Sequence, residues 1–520
     1  MKSVVILVIA CSAVLAAFLA QPIDYLTGAF VIDDGLYYLE VPRNIVAGNG
    51  VTYDNRTSTN GFHPLWGGIG VVMAWTTGGR TEALLRMAFV IQAILLIVGL
   101  LCLGRFAIDL GFTPLGTMAA ILLLFFSRVD LCLSTMESAL LIATILLLCM
   151  VSLRRNLLRS TKTSDNVLLG TLLAVVFLSR LDTIFIVVAF LAVQAAIGIR
   201  SRARLHAVFP AIRTGIAFTL LTIPYLIINA AYFGSIVPVS GVKKTHVSSH
   251  VFDNIFALVT NVFNAAANKL GVQTWIVGLV VLVVAIVVAL TFRRPSSRYV
   301  LTSAGRGGVL IALTAGVFAR GVYLLVFIEE YTRVPWYWVP EYVLAAIVAG
   351  IAVTLVTRQL RGGLFSKPKV VYTVTAIVFM AGCVYLVKDA SANQYSNLIA
   401  YRTAIWVRDN TPEDTLLALH DSGVLAYFSE RDVIPLNGLI TDRPTMDKLQ
   451  RGKYREVLDQ FSVDYYVRLM DQNTDVPERI LVYRSDTLDR GVYAGMQFFI
   501  MDYGSFPEQT ARFLPDDGSK

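Results

Sequence analysis

The chain has 520 residues, 56% of them hydrophobic and only 15% charged, with a mean hydropathy of +0.65, whereas a soluble globular chain carries about 25% charged residues. This composition excludes a soluble enzyme and fits a polytopic membrane protein. The net charge of +8 does not imply nucleic acid: residues 1–387 hold 29 Lys plus Arg against 15 Asp plus Glu, residues 388–520 hold 15 against 21, and the basic excess lies in short loops between apolar runs, as membrane topology requires.

About eleven apolar spans are predicted, near 4–20, 83–103, 113–127, 136–153, 167–179, 183–199, 213–232, 274–292, 308–328, 339–357 and 369–387, each near the length a bilayer demands. The first could instead be a signal peptide, with Lys2, an apolar run and Ala20 before Gln21, although no clean cleavage site follows. With Lys2 inside, the loops bearing Arg154 and Arg155, Arg200 and Arg202, Arg293 and Arg294, and Arg358 and Arg361 all fall on the cytoplasmic side. The parity closes only if 63–77, short and Gly-rich, is a re-entrant or interfacial helix. All five cysteines lie in or beside apolar segments, so no disulfide framework is indicated, and no CxxC or HExxH spacing suggests zinc.

This topology puts the unusual residues on the outer face. The loop within 21–82 opens on the adjacent acids Asp33 and Asp34; Asp130 and Glu137 follow the third span, and Arg180 with Asp182 lies between two apolar runs. Lys243, Lys244, His246 and His250 follow the seventh span, and Glu329, Glu330 and Arg333 precede Trp336, Tyr337 and Trp338. Beyond 388 the composition is that of a small soluble α/β domain: a strand is predicted to end near His420, a short helix follows, a second strand ends at Asn437-Gly438, 453–469 reads as helix then strand, and further strands lie at 481–486 and 497–504. The domain shows no phosphate-loop or nucleophile-elbow pattern, so the chemistry is expected elsewhere.

The stretch from Val31 to Asn55, followed by Gly61-Phe62-His63-Pro64-Leu65-Trp66, resembles the first outer loop of the GT-C superfamily of polyprenyl-phosphate-dependent glycosyltransferases, on the bacterial and archaeal branch that includes mycobacterial arabinofuranosyltransferases. The matching positions are Asp33, Asp34, Tyr37, Asn44, Gly48, Gly50 and Tyr53, while Arg43 stands slightly later than the family places its arginine. Thr135-Met136-Glu137-Ser138, Arg180-Leu181-Asp182, Val237-Pro238 with Lys243 or Lys244, Gly423–Ser429 and Asn437-Gly438-Leu439 resemble further family elements. Val239-Ser240 stands where the family has Asn-Thr, so which lysine meets the phosphate stays open.

The resemblance implies a GT-C type membrane enzyme of the plasma (inner) membrane with a catalytic module over 1–387 and an extracytoplasmic α/β domain over 388–520. It would move a single sugar, a pentose such as arabinofuranose or a hexose such as mannose, from a polyprenyl-phosphate donor to a glycan, lipid or protein acceptor, with inversion. Such a transfer needs a base for the acceptor hydroxyl and cations for the departing phosphate. Asp33 or Asp34 is the expected base, a helix N-terminal cap being the other reading of the pair. The donor phosphate is expected at Lys243, Lys244, Arg320 and Arg333. Solvated loop lysines, and for Arg320 snorkelling or a pair with Glu329 or Glu330, are the plain alternatives. Substrate contacts are expected among Tyr37, Asn60, His63, Glu137, Arg180, Asp182, His246 and Trp336. His63 could instead fix a turn, Glu137, Asp130 and Asp182 could form salt bridges with Arg128 or Arg180, and Trp336, Tyr337 and Trp338 could form an interfacial aromatic belt. No metal ligand set or cofactor is specified, a divalent cation being the one candidate. The competing classes are a transporter or flippase, for which Arg320 and the acidic mouth would line a path, and a membrane-anchored scaffold that truncation after 387 would disable.

Overall fold

A computed structural model describes residues 1–202, 208–245, 306–328, 335–359, 368–488 and 494–515. The expected span at 274–292, with His246, His250, Glu329, Glu330 and Arg333, lies outside the described residues.

Apolar runs of about 20 residues become helices because a bilayer leaves no water to satisfy backbone groups. In chain order the described helices are α1 (Lys2–Leu19), α2 (Ile23–Phe30), α3 (Asp33–Ala47), α4 (Pro64–Thr77), α5 (Thr81–Leu110), α6 (Pro114–Cys132), α7 (Ser138–Arg154), α8 (Thr163–Ser179), α9 (Ile184–Arg202), α10 (Phe209–Phe233) and α11 (Val239–Lys244), followed by α12 (Arg306–Phe327), α13 (Val339–Gln359) and α14 (Pro368–Asn410). Among the described residues seven helical stretches are long and apolar enough to cross a membrane, and α6, α7 and α8 contribute shorter apolar helices. Sharp loops join them. Gly111 closes α5 in the left-handed conformation, and the Thr113 hydroxyl accepts from the Gly116 amide to open α6, with Pro114 at its first position.

Contacts sort the connections into two ends. At one end Arg358 Nη2 donates to the Gly111 carbonyl at 2.6 Å, Arg154 pairs with Asp109, Arg155 pairs with Asp165 and Ser3 bonds Tyr372. The loops around 31–63, 133–138, 179–183, 234–245 and 335–338 gather at the other. Helix α4 begins and ends there: His63, just before it, faces Glu137, and Thr81, just after it, accepts from the Tyr427 hydroxyl at 2.6 Å through its carbonyl. Its 14 residues make a rod of about 21 Å, too short to cross ~30 Å of hydrocarbon. Val72 and Trp75 on its outer side are exposed, so α4 presents an apolar face outward while both its ends stay at one end of the bundle.

The C-terminal domain follows α14 with β1 (Leu416–Leu419), α15 (Gly423–Ser429), β2 (Asp432–Pro435), α16 (Arg443–Gln450), α17 (Tyr454–Phe461), β3 (Tyr465–Asp471), β4 (Leu481–Arg484), β5 (Met496–Asp502) and α18 (Pro507–Thr510). The strand order is β2-β1-β3-β5-β4, parallel among β2, β1 and β3 and antiparallel from β3 through β5 to β4. The compositional break at 388 falls inside α14, which runs without interruption from the membrane-spanning stretch Pro368–Ser391 to Asn410.

Candidate functional site

The acidic pair occupies the first turn of α3, whose N-cap is Ile32. A helix start favours negative charge, yet the two side chains have different partners. Both oxygens of Asp33 are taken by the C-terminal domain, accepting from the Gly423 and Val424 amides at 2.8 Å each. The approach depends on glycine, since a Cβ at Gly423 would collide with the Asp33 carbonyl. The Tyr37 hydroxyl lies 3.5 Å from Asp33 Oδ2 and accepts from Asn437 Nδ2 at 2.9 Å, while Tyr53 bonds Ser422 at 3.0 Å. Burial, reinforced by the nearby Asp421 carboxylate, pushes Asp33 up to about 7 and outweighs its two amide bonds.

Asp34 faces the membrane module. Its Oδ2 is 3.7 Å from Lys244 Nζ, with 21% and 14% of the two side chains exposed. Lys244 ends α11, whose start is tied down by the Val239 amide donating to Asn60 Oδ1 at 2.9 Å. The Lys244 ammonium lies 5.8 Å from the centre of the Tyr337 ring, and the Arg180 guanidinium lies 4.7 Å from the same ring. One aromatic ring thus meets two cations.

Behind this mouth is a buried ionic cluster. Arg180 Nη1 donates to Glu137 Oε1 at 2.5 Å and its Nε to Asp182 Oδ2 at 3.1 Å. Arg320 is fully buried. Its Nε and Nη2 donate to the two Asp182 oxygens at 3.1 and 3.0 Å, Nη1 donates to both Glu341 oxygens at 3.0 and 3.1 Å, and Nη2 also donates to the Tyr337 carbonyl at 2.8 Å. Glu137 is held by the loop before α7, where buried Thr135 adopts a positive φ of 64°, a strained backbone for a β-branched residue. That loop is braced by Trp66 donating to the Thr135 carbonyl and by Gln92 bonding the Met136 carbonyl and the Thr135 amide. Gly35 of α3 packs against it so closely that a Cβ would meet Ser134 and Thr135. His63 Nε2 lies 3.6 Å from Glu137; burial lowers the pKa of its imidazole.

Asp34, Lys244, Tyr337, Arg180, Glu137, His63 and Asp182 are therefore brought together. Arg320, expected at the donor phosphate or beside Glu329 or Glu330, is committed to Asp182 and Glu341 instead, because α13 carries Glu341 into the space Arg320 faces. Asp182 and Glu137 bind arginine, and Tyr37 and Asn60 hold loops. Lys243 is half-buried on α11, and Trp336 is half-buried beside Tyr337, which is the ring that meets the cations. His246 and Arg333 lie outside the described residues, as does the side chain of Arg128. Glu341 and Asp421 were not singled out from the sequence: Glu341 is one acid at the head of an apolar span, and Asp421 sits in the turn after a strand. The motif residues have structural duties as well. Asn44 Nδ2 donates to the Thr52 and Tyr53 carbonyls, and Gly48 and Gly50 take positive φ, so the loop folds back to pack Tyr53 on Tyr37. Among the described residues no group of three His, Cys, Asp or Glu side chains is placed to hold a metal ion.

The whole-chain comparisons agree with this architecture. ArnT from Cupriavidus metallidurans in the apo state superposes with a TM-score of 0.53 at 13% identity, over 96% of this chain and 98% of that one. Its undecaprenyl phosphate-bound form gives 0.50 at 14%, over 95% and 97%. The apo oligosaccharyltransferase of Archaeoglobus fulgidus gives 0.51 at 12%, over 89% and 69%. This is the GT-C fold. Residues 388–512 match a family described only as a domain of unknown function (DUF8728), and no curated protein matches the chain by sequence. Within the GT-C fold the domain of unknown function is the part that seats Asp33.

Proposed function

We propose that this chain is a glycosyltransferase that moves one sugar from a polyprenyl-phosphate donor to an acceptor on the outer face of the plasma membrane. The reading rests on one juxtaposition: the Asp34 carboxylate and the Lys244 ammonium, 3.7 Å apart and partly exposed at one mouth. A base and a phosphate cation at one mouth can serve opposite ends of a displacement at the anomeric carbon when donor and acceptor enter between them. Asp34 takes the proton of the acceptor hydroxyl as its oxygen attacks the anomeric carbon, the C1–O bond to phosphate breaks with inversion, and Lys244 steadies the dianionic polyprenyl phosphate that leaves. Asp33 anchors the C-terminal domain, since both its oxygens are used there. The neighbouring fold of ArnT with undecaprenyl phosphate supports a lipid-phosphate donor, and the loop motif supports a pentose such as arabinofuranose or a hexose such as mannose, with a glycan, lipid or protein acceptor. The transport reading loses the residue it leaned on, because all three nitrogens of Arg320 are engaged within the protein.

The deciding experiment incubates purified protein with a panel of radiolabelled polyprenyl-phosphate sugars and a cell-envelope extract, with and without chelator. Label should pass to acceptor with one donor and fail to do so in Asp34→Asn. Absence of transfer from every donor, or full transfer by that variant, would overturn the assignment, and the chelator arm reads any need for a divalent cation.

A further inference from the structure

We propose, on the basis of the transferase reading, that Asn60, His63 and Glu137 form a subsite for two adjacent free hydroxyls of the transferred sugar, so that the donor is a neutral sugar unsubstituted at those positions. Each side chain has one polar atom engaged within the protein and one that is not. Asn60 Oδ1 accepts from the Val239 amide at 2.9 Å, Glu137 Oε1 accepts from Arg180 at 2.5 Å, and His63 Nε2 faces the same Glu137 oxygen at 3.6 Å. Asn60 Nδ2, Glu137 Oε2 and His63 Nδ1 are buried without a hydrogen-bond partner. The Tyr38 hydroxyl, near enough to Glu137 to interact with it, leaves Oε2 unbonded. A buried polar atom left unpaired costs the fold stability, so three of them at one mouth point to a ligand that completes them.

The three side chains lie together. Asn60 and His63 belong to the turn that enters α4, His63 faces Glu137, and Asn60 holds the start of α11, the helix that ends in Lys244. Arg180, which grips Glu137, meets the same Tyr337 ring as Lys244, at 4.7 and 5.8 Å. A sugar whose phosphate rests on Lys244 is therefore beside them, which favours the donor's sugar over the acceptor's.

Their chemistry selects the ligand. Burial lowers the pKa of the His63 imidazole, so the ring is neutral near pH 7 and, with its proton on Nε2 toward Glu137, presents Nδ1 as an acceptor. Glu137 Oε2 is a second acceptor, its charge already matched by Arg180, and Asn60 Nδ2 is a donor. Two neighbouring hydroxyls meet this set: one donates to Glu137, the other to His63, and Asn60 donates to either oxygen. An ammonium has no lone pair for Asn60, a carboxylate has no proton for Glu137 or His63, and a deoxy carbon leaves one atom unpaired.

The test measures binding to the full-length protein in nanodiscs of polyprenyl-phosphate arabinofuranose and mannose, the monodeoxy analogues of each, and an amino sugar and a uronic acid on the same lipid. Wild type should bind the donor sugar about tenfold to a hundredfold more tightly than the analogues lacking either hydroxyl of one adjacent pair, and more tightly than both charged sugars. Asn60→Asp keeps Oδ1 for the Val239 amide and removes the donor; His63→Phe keeps a ring on Tyr38 and removes the acceptor. In each variant the gap between parent and one deoxy analogue should close. Equal binding of parent and every analogue by wild type, a charged sugar that binds as tightly as the parent, or an unchanged gap in both variants overturns the subsite and leaves the transferase reading standing. Failure of wild type to bind either neutral donor overturns both.

Discussion

Arg320 and Lys244 are two cations that sequence reasoning placed at the same phosphate, and the structure gives them opposite situations. Arg320 sits in α12 with five hydrogen bonds to Asp182, Glu341 and Tyr337. Lys244 ends a six-residue helix and meets Asp34 at 3.7 Å. The difference lies in enclosure: Arg320 is fully buried, whereas Lys244 reaches a partly exposed mouth. An arginine whose planar fork is fully engaged holds the fold, whereas a lysine at a partly exposed mouth is within reach of a ligand.

The largest effect is expected at Arg320. Arg320→Ala leaves Asp182 and Glu341 without their shared cation, and we expect it to cost about 3–5 kcal/mol, read as a large fall in thermal midpoint of the purified protein. Lys244→Ala should leave that midpoint nearly unmoved; a comparable fall would erase the distinction. Next in size is Asp34→Asn, expected to lower kcat about 10²- to 10⁴-fold with an unchanged melt. Lys244→Ala should then raise the KM for donor roughly tenfold to a hundredfold, the weight of a hydrogen bond to a charged group, with Lys244→Arg recovering part of it.

Two smaller effects sharpen the contrast between Asp33 and Asp34. Gly423→Ala pushes a methyl against the Asp33 backbone and should cost about 1–3 kcal/mol of domain seating, seen as faster hydrogen exchange in 423–429 with the rest of the sheet unaffected. The smallest effect is on pH. Asp33 holds its proton up to about pH 7 when the domain is seated, against an ordinary value of 3.8, so seating is coupled to proton uptake. It should strengthen as pH falls from about 7 toward 4, by no more than about 1.4 kcal/mol per unit, and be weakest above 7. Exchange protection of the same segment, corrected for intrinsic rates, checks the sign, and Asp33→Asn should flatten the dependence.

Much of the bundle was legible because apolar length alone dictates a crossing. The predicted run at 83–103 lies within α5, which extends to Leu110, and 213–232 and 339–357 match α10 and α13 within a few residues. The predicted strands reappear as β1 to β5 for a similar local reason, alternating or buried apolar runs bounded by turns. Helix α2 is not legible because eight residues beside a span carry too little periodicity; the expected span at 369–387 coincides with the membrane-spanning stretch Pro368–Ser391, and the continuation of α14 to Asn410 leaves no apolar signal. At the site, the acids of α3 could be found from their neighbours in sequence. Their separate duties could not, since Asp33 is fixed by a turn 390 positions away and Arg320 by acids 138 positions before it and 21 after. Pairings over such distances leave no local pattern.

Helix α14 has a mechanical consequence of its own. Its 43 residues form a continuous shaft about 65 Å long, roughly twice the hydrocarbon thickness. One half is steeped in lipid and the other packs against α15, the element that Asp33 grips. With no joint along the shaft, a change in its tilt, such as a thinner or thicker bilayer imposes, is delivered to the roof of the mouth as a lever delivers it, so the lipid in which the protein is reconstituted should be treated as a variable of its catalysis.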